Sequence, residues 1–411
     1  MKTKKLFTAA GMMLLIFAVA AMTGCSSKPD CKPVDEATLP EYYDVDLNYD
    51  NQNNIESFSV RTDYTDGIIY IDGVAKPTET VYEDGILTFN YECTDSDVLI
   101  PYFKVIDIKI VFLDETGLEI DDAIIKNFLI LGSNINVKDL EKIENVFKAN
   151  YLRTFIYDEI DYLENFTSLI SVQILNGTGN MNSLYCLPHL RHLEITLSDI
   201  KGDMGALESM HKMEHLVLLF NNKIKGDFES LEELANLKYL EYDGDAKGNL
   251  SSFSNLTSLV DLKLHAVIEG DISGLANLTK LEKIELWLPS DDVYGNLSSL
   301  SNLTNLKYLD FSVKLEGEEN DLSSVSELTN LEYLDLSYVD IIQGNLRSLS
   351  NLTELKHLDL GYRGWTEYDN VDLTILANMD QLEYFYLEIF DTGHNKFCEF
   401  DIDSVKTANG K

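Results

Sequence analysis

The sequence predicts a solenoid, in which short repeated units stack along one elongated core. A pattern of seventeen residues, clearest at 295–311 as GNLSSLSNLTNLKYLDF, occurs ten times between residues 158 and 387. Its starts are spaced by 21 to 27 residues, a period typical of repeat architectures. The same six positions are apolar in every unit. Because one unit cannot bury its own apolar face, the units must stack on one another.

The first two positions of the pattern predict a turn followed by a helix cap. The units begin at Asp158, Gly179, Gly202, Gly226, Gly248, Gly270, Gly295, Asn320, Gly344 and Val371. Position two is always acidic or an amide: Glu159, Asn180, Asp203, Asp227, Asn249, Asp271, Asn296, Asp321, Asn345 and Asp372. Glycine accepts a positive φ, and an Asp or Asn side chain can accept the first N–H groups of a helix. These residues are therefore expected to be scaffold.

The apolar positions predict one helical arc and one strand in each unit. Positions three, six, nine and twelve recur every three residues, as in a 3₁₀ helix, whereas positions fifteen and seventeen alternate as in a strand. The unit at Asn320 gives Leu322, Val325, Leu328, Leu331, Leu334 and Leu336. Strands stacked in parallel about 4.8 Å apart form a sheet on the concave side, with the arcs on the convex side. The predicted fold class is an α/β solenoid.

The segment 271–286, DISGLANLTKLEKIEL, resembles the D-I-x-x-L-x-N-L-T-x-L-x-x-L-x-L pattern of leucine-rich repeat proteins of bacterial surfaces, specifically the internalin-like type. The resemblance implies a leucine-rich repeat fold and an adhesin-like role. Two features depart from the pattern. The asparagine that the family places after each strand is kept at Asn221 but replaced by Val267, Pro289, Lys314, Val339 and Arg363. The glycine at position one is more similar to plant-type repeats.

The first residues resemble a bacterial lipoprotein signal peptide. Lys2, Lys4 and Lys5 precede an apolar stretch, and Met22-Thr23-Gly24-Cys25 resembles a lipobox. The alternative is a transmembrane helix, but an apolar run of seventeen residues is at the short limit for spanning. The resemblance implies cleavage before Cys25, acylation of Cys25 by a diacylglyceryl group and palmitate, and a place on the extracytoplasmic face of a bacterial membrane, at the cell surface.

The remaining chain divides into five segments by composition. Residues 25–44 are predicted to comprise the lipidated cysteine and a tether. Residues 45–117 are β-rich, with hairpin signals at Asp66-Gly67, Asp72-Gly73 and Asp84-Gly85, and predict a small β-sandwich that resembles an immunoglobulin domain. Residues 118–157 are degenerate first units, with a strand expected at 153–157. The repeats follow at 158–388, and residues 389–411 are predicted to cap the other end of the core.

The cysteines leave one question open. Cys31 and Cys93 lie in the same region and could form a disulfide, but connectivity cannot be derived from sequence. Cys186 occupies an arc position and is predicted to be a packed thiol.

Charge and missing motifs exclude several functions. The formal net charge is −38, which argues against nucleic-acid binding and against contact with an anionic membrane surface, and favours a basic or neutral partner. Solubility alone is the alternative explanation. The sequence has no nucleophile elbow, P-loop or H-E-x-x-H motif. We therefore expect no enzyme activity, no cofactor and, as the simplest assembly, a monomer.

The candidate binding residues lie at the strand positions that point away from the core. Position fourteen reads Ser171, His192, His215, Tyr239, Asp261, Lys283, Tyr308, Tyr333, His357 and Tyr384. Position sixteen reads Gln173, Glu194, Val217, Glu241, Lys263, Glu285, Asp310, Asp335, Asp359 and Tyr386. The candidates are Tyr239, Glu241, Tyr308, Asp310, Tyr333, Asp335, His357, Asp359, Tyr384 and Tyr386, together with Trp365 in an aromatic loop. Aromatic and acidic rows suit a protein or glycan partner. The alternative is that strands favour tyrosine and that acids solvate the face.

No metal is expected at these rows. Carboxylates about 5 Å apart repel by only about 0.8 kcal/mol in water, so the row Asp310, Asp335 and Asp359 is tolerable without a cation. Calcium would also require six or more oxygens. His192, His215 and Glu194 form a second candidate, and neighbouring surface histidines are usually not ligands. The sequence predicts a lipid-anchored recognition protein. The alternative is a structural component of the cell envelope.

Overall fold

The computed structural model describes residues 45–49, 55–62, 66–71, 74–75, 79–83, 86–90, 103–113, 118–131, 151–154, 160–220, 223–315, 320–339, 342–343, 346–361, 373–391 and 396–404. The predicted signal peptide, Cys25, the tether, Cys31, Cys93 and the loop with Trp365 lie outside the described residues. Among those that are described, no helix has the length and hydrophobicity that a membrane span requires.

Twenty-six strands are described. The N-terminal strands are β1 (Val45–Tyr49), β2 (Ile55–Arg61), β3 (Gly67–Ile71), β4 (Val74–Ala75), β5 (Glu79–Glu83), β6 (Ile86–Asn90), β7 (Phe103–Leu113), β8 (Glu119–Leu131) and β9 (Tyr151–Thr154). The repeat strands are β10 (Ser171–Leu175), β12 (His192–Thr196), β14 (His215–Leu219), β16 (Tyr239–Asn249), β17 (Asp261–Asp271), β18 (Lys283–Leu288), β20 (Tyr308–Val313), β22 (Tyr333–Asp335), β24 (His357–Asp359) and β25 (Tyr384–Asp391). Short strands at the turns are β11 (Thr178–Asn180), β13 (Asp199–Asp203), β15 (Ile224–Lys225), β19 (Val293–Tyr294), β21 (Asn320–Asp321) and β23 (Ile342–Gln343), and the last strand is β26 (Lys396–Asp401).

Each repeat also contains the predicted 3₁₀ helix. These helices are Ile160–Asn165, Met181–Cys186, Met204–Leu207, Phe228–Leu231, Leu250–Phe253, Ile272–Leu275, Leu297–Leu300, Leu322–Val325, Leu346–Leu349 and Leu373–Asn378. Every repeat therefore contributes one strand to the parallel sheet and one short arc, as the twofold and threefold spacings of its apolar residues predict.

The ten repeat strands form one parallel sheet in the predicted register. Leu309 pairs with Leu334, and Leu334 pairs with Leu358. Position fourteen pairs with position fourteen at all nine junctions between the ten strands. One continuous core runs beneath the sheet, and Leu309, Leu334 and Leu358 are each 0% exposed within it. The solenoid prediction is confirmed.

The Asx residue at position two caps the arc in seven of the repeats, as predicted; position two of the other three lies outside the described residues. Asp271 Oδ1 accepts a hydrogen bond from the Ser273 N–H at 2.8 Å. The equivalent bond is made by Asn180, Asp203, Asp227, Asn249, Asn296 and Asp321. The preceding glycine has a second role that the sequence did not reveal. A Cβ at Gly270, where φ is +102°, would lie 2.4 Å from Oδ1 of Asn249, the capping residue of the preceding coil.

The N-terminal strands form antiparallel pairs that lead into the solenoid. Strands β1, β2, β6 and β5 form a four-stranded sheet, while β3 pairs with β4 and β7, and β7 pairs with β8. Ile71 pairs with Val74 and Glu83 with Ile86, which confirms two of the predicted hairpins. The third hairpin signal was wrong: Gly67 begins β3, where a Cβ would lie 2.8 Å from the Val111 carbonyl oxygen, so this glycine serves close strand packing.

Both ends of the repeat sheet continue into other strands. β8 and β9 run parallel to β10, and β9 begins at Tyr151, two residues earlier than the strand predicted at 153–157. At the other end, β26 pairs antiparallel with β25. Cys186 corrects another expectation. It is buried as predicted, but it is disulfide-bonded and not a free thiol.

Candidate recognition surface

The open face of the parallel sheet carries positions fourteen and sixteen of every repeat. On β22 and at the residue that follows it, Leu334 and Leu336 are buried, whereas Tyr333 and Asp335 are half-buried. Side chains alternate between the two faces of a strand, so tyrosine and aspartate point away from the leucine core together. Because the register is constant, side chains at the same position form rows across the sheet.

Four rings on adjacent strands form a stack, here called the C-terminal ring stack: Tyr308, Tyr333, His357 and Tyr384. Successive ring centroids lie 4.1, 4.1 and 4.2 Å apart, with interplanar angles of 10°, 11° and 6°. The Lys283 ammonium lies 4.4 Å from the Tyr308 ring centroid and covers the first ring. Ring pairs contribute roughly 0.5–1.5 kcal/mol each. The stack is therefore ordered before any partner binds.

The carboxylate row lies beside this stack and consists of Asp310, Asp335 and Asp359. The Ser312 hydroxyl donates to Asp310 Oδ1 at 3.0 Å. Asp335 Oδ1 and Asp359 Oδ1 each accept a backbone N–H from two residues further along the chain, both at 2.8 Å. One oxygen of each carboxylate is thus fixed by the protein, and the side chains have defined orientations.

Partial burial changes the protonation equilibria of the surface. Burial is the first cause of the raised pKa of Asp310 and Asp359, and the negative charge of Asp335 adds to both. Burial lowers the pKa of His357. It also raises the pKa of Tyr308, Tyr333 and Tyr384. The rows are partly withdrawn from water, so a partner's charge would interact with them more strongly than in bulk solvent.

A second set of rings, the N-terminal ring stack, consists of His192, His215 and Tyr239. Its centroid distances are 4.4 and 4.3 Å, with angles of 3° and 4°. The Tyr239 hydroxyl donates to Glu241, and the Lys263 ammonium donates to the Tyr239 oxygen at 2.8 Å. Tyr239 and Glu241 are therefore engaged within the protein. They are separated from the C-terminal ring stack by β17 and β18.

Charged residues on β17 and β18 lie between the two ring stacks and separate them. Lys283 forms an ion pair with Glu285 at 3.1 Å, and Lys263 forms one with Glu241 at 3.4 Å. Burial raises the pKa of Asp261, and its Oδ1 atom is buried without a hydrogen-bond partner among the described residues. The open face is thus divided into two aromatic sections by a charged section.

A third row, at position eighteen, was missed by the sequence analysis. His265 Nδ1 lies 3.1 Å from Asp243 Oδ1, and the His265 ring packs on Trp287, with centroids 3.7 Å apart. Trp287 is 49% exposed. These residues continue the alternation one step beyond position sixteen because β16, β17 and β18 are longer than the predicted strands. The sequence signal that could have revealed this row is the alternation of outward-facing and buried residues, which continues past position seventeen in these repeats.

The structure therefore brings together seven of the predicted binding residues as one surface: Tyr308, Asp310, Tyr333, Asp335, His357, Asp359 and Tyr384. Tyr386 pairs with Asp359 in the same register and is half-buried. It occupies position sixteen on the next strand, beside the end of the carboxylate row. Tyr239 and Glu241 belong to the separate N-terminal section. Trp365 lies outside the described residues.

Comparisons with known proteins agree with the repeat architecture. Residues 176–406 match a family model described as "Leucine-rich repeat region". No curated protein matches the chain by sequence.

Three solved structures are similar to part of this chain. A plant peptide hormone receptor, RGFR1 in complex with RGF2, shares 19% identity over 62% of this chain and 45% of its own, with a TM-score of 0.48. The ectodomain of the receptor kinase GASSHO1/SCHENGEN3 from Arabidopsis thaliana shares 20% identity over 61% and 33%, with a TM-score of 0.47. An internalin, inlF, from Listeria monocytogenes shares 20% identity over 62% and 88%, with a TM-score of 0.38. This chain spans less than half of either plant chain.

The family match covers more than half of the chain, and the matched residues fold into stacked strand-and-arc units with one leucine core. The chain belongs to the leucine-rich repeat proteins.

Proposed function

We propose that this protein recognises a protein partner through the C-terminal ring stack and the carboxylate row. The observation that carries the proposal is the continuity of the two rows, with four rings on adjacent strands at centroid distances of 4.1–4.2 Å and three oriented carboxylates beside them. Interfaces are enriched in preordered aromatic residues because such residues lose little conformational entropy on binding.

The geometry of the stack favours a protein partner over a glycan. Tyr333 and His357 have a neighbouring ring on each side at 4.1–4.2 Å, and Tyr308 has Tyr333 on one side and the Lys283 ammonium on the other. Their ring faces are therefore covered, and the partner meets ring edges and hydroxyl groups. A sugar that stacks on an aromatic face would find no open face at these three residues.

Charge favours a basic segment in the partner. Asp310, Asp335 and Asp359 present three carboxylates in one row, within a chain whose formal net charge is −38. Lysine or arginine side chains of a partner would lie over this row, and arginine can bind a carboxylate through two parallel hydrogen bonds. Long-range attraction would also raise the association rate at low salt.

The proposal includes attachment to the extracytoplasmic face of a bacterial membrane through acylated Cys25. Its basis is the lysine-rich start, the apolar stretch and the lipobox-like Met22-Thr23-Gly24-Cys25. The disulfide at Cys186 is consistent with this location, because disulfides persist mainly in oxidising compartments. Residues 25–44 would then act as a tether and residues 45–117 as a spacer that lifts the solenoid from the membrane.

A capture experiment tests the proposal. The full chain is compared with the variants Tyr333→Ala and Asp310→Asn against envelope extracts and host glycoproteins. Tyr294→Ala and Glu327→Gln are matched controls, because Tyr294 is an exposed tyrosine outside the stack and Glu327 an exposed acid on an arc.

The proposal requires a protein that is captured by the wild type and by both controls but is reduced for the two surface variants. Equal capture by all five forms would mean that the partner does not bind through this surface. A glycan captured in the same pattern would replace the protein partner. The absence of any captured species would favour the alternative of a structural envelope component.

A further inference from the structure

The carboxylate row meets an imidazole at one place. Asp335 on β22 and His357 and Asp359 on β24 each offer a ligand atom, and the three atoms lie within 4.8 Å of one another. From sequence, the carboxylate row was weighed as a cation site without an imidazole. Register adds a nitrogen ligand, because His357 and Asp359 are two residues apart on one strand and Asp335 pairs directly with Asp359.

All three side chains are held in orientation by contacts outside the ligand set. His357 is stacked between Tyr333 and Tyr384, so its ring can present a nitrogen only within the plane of the stack. Backbone N–H groups of Ser337 and Gly361 hold one oxygen of Asp335 and one of Asp359. The second oxygen of Asp359 accepts the Tyr384 hydroxyl at 3.3 Å and has a further lone pair for a ligand bond. Contacts of this kind fix ligand orientation and increase metal affinity.

The distances and charges suit a small divalent ion. Ligands about 2.1 Å from a tetrahedral ion are about 3.4 Å apart, so rotations that move side-chain atoms by about 1 Å would close a set that lies within 4.8 Å. Two carboxylates and a neutral imidazole balance a charge of +2. A mixed nitrogen and oxygen set favours zinc or a neighbouring transition metal over calcium or magnesium, which prefer oxygen.

The other described repeats do not reproduce this combination of ligands. Across the described strands, positions fourteen and sixteen place an imidazole beside a carboxylate again at His192 and Glu194, but the next strand supplies His215 and Val217 there. Within the part of the chain that the structure describes, the group of Asp335, His357 and Asp359 is the one that brings three such ligands together.

We propose that Asp335, His357 and Asp359 bind one divalent transition-metal ion of the zinc type on the open face of the sheet, with water in the remaining coordination position. The ion would fix β22 to β24 and leave one coordination position directed at the recognition surface. The site is a property of this chain alone, so its test is independent of any partner.

Titration of the full chain with Zn²⁺ by calorimetry tests the site, and Co²⁺ absorption reports a four-coordinate environment. The variants His357→Asn and Asp359→Asn remove a ligand. Asp310→Asn removes the same charge from the row but no ligand, and His265→Asn removes an imidazole that has one carboxylate neighbour. Circular dichroism and thermal melting of the metal-free forms show whether each variant remains folded.

The expected result is one equivalent of tightly bound Zn²⁺ in the wild type. Loss of a ligand should weaken binding by at least about tenfold, on the scale of changes around metal ligands, whereas the two controls retain wild-type affinity. If all four substitutions weakened Zn²⁺ binding equally, or if none of them weakened it, the bound Zn²⁺ would be an adventitious ion only, attracted by the acidic surface. Absence of stoichiometric Zn²⁺ binding by the folded wild type would also overturn the proposal.

Discussion

Replacement of Leu309 by alanine tests whether the register of the solenoid is correct. Leu309 is 0% exposed and lies on β20 between Ile284 and Leu334 of the adjacent strands. Removing three carbon atoms costs about 0.8 kcal/mol each in lost burial. The residual cavity brings the expected loss of unfolding free energy to about 3–5 kcal/mol.

Its neighbour Asp310 provides a control one residue away. Asp310→Asn keeps an oxygen acceptor for the Ser312 hydroxyl and removes the repulsion from Asp335. We expect no loss of unfolding free energy beyond about 0.5 kcal/mol, because asparagine keeps the hydrogen bond and carries no charge that partial burial would disfavour.

Urea denaturation followed by far-ultraviolet circular dichroism measures both changes, and tryptophan fluorescence, to which Trp287 on the adjacent strand β18 contributes, serves as a second probe. Two probes are needed because a repeat protein can unfold in sections. Similar losses for Leu309→Ala and Asp310→Asn would refute the assignment of buried and exposed positions.

Three further substitutions test the scaffold and its charges. Gly270→Ala should lower the unfolding free energy by at least about 1–2 kcal/mol, because alanine is strained at a positive φ and its Cβ would meet Asn249; thermal melting measures the loss. Tyr242→Phe should cost about 1–3 kcal/mol in urea denaturation, because it removes the hydroxyl that accepts the buried Ala246 N–H at 2.8 Å. Asp261→Asn should stabilise the protein at neutral pH, because burial raises the folded-state pKa of Asp261 above 3.8 and penalises its charged form.

The pH dependence of the last variant has a defined sign. Where the folded-state pKa of an acid exceeds the unfolded value, the folded state binds more protons, and stability falls as pH rises from 3.8 through the folded pKa. Asparagine is uncharged throughout. The advantage of Asp261→Asn should therefore be absent below pH 3.8 and fully present above the folded pKa, and a pH-independent difference would contradict this explanation.

Two controls accompany the other variants. Gly205 has no positive φ, and its nearest neighbour would be 3.1 Å from an added Cβ, so Gly205→Ala should cost less than Gly270→Ala. Tyr338 is 56% exposed, so Tyr338→Phe should leave stability unchanged. If either control equalled its test variant, the stated cause would be wrong.

The sequence predicted the register because one physical requirement recurs in every unit. Each coil must bury the same apolar face, so the positions of Leu309, Leu334 and Leu358 follow from the period alone. The rows at positions fourteen and sixteen then follow from the alternation of a strand. Ring stacking did not follow, since it depends on shared side-chain rotamers and on the spacing between adjacent strands.

Features that depend on turns or distant partners were not accessible in this way. The Asp243, His265 and Trp287 row was missed because the turn residues, and not the leucines, decide where each strand ends. The disulfide at Cys186 was missed because the pairing of cysteines does not follow the repeat period. Gly67 looked like a turn residue, but its lack of a side chain is needed beside Val111.

The central claim is that the C-terminal ring stack and the carboxylate row form the recognition surface. Its most direct test is the binding kinetics of the captured partner with the full chain, measured at several salt concentrations. Tyr333→Ala should increase the dissociation rate by about tenfold or more, as for a central interface aromatic. Asp310→Asn combined with Asp335→Asn should instead slow association and reduce its dependence on salt. Tyr294→Ala and Glu327→Gln should change neither rate. Wild-type kinetics in both surface variants would contradict the claim.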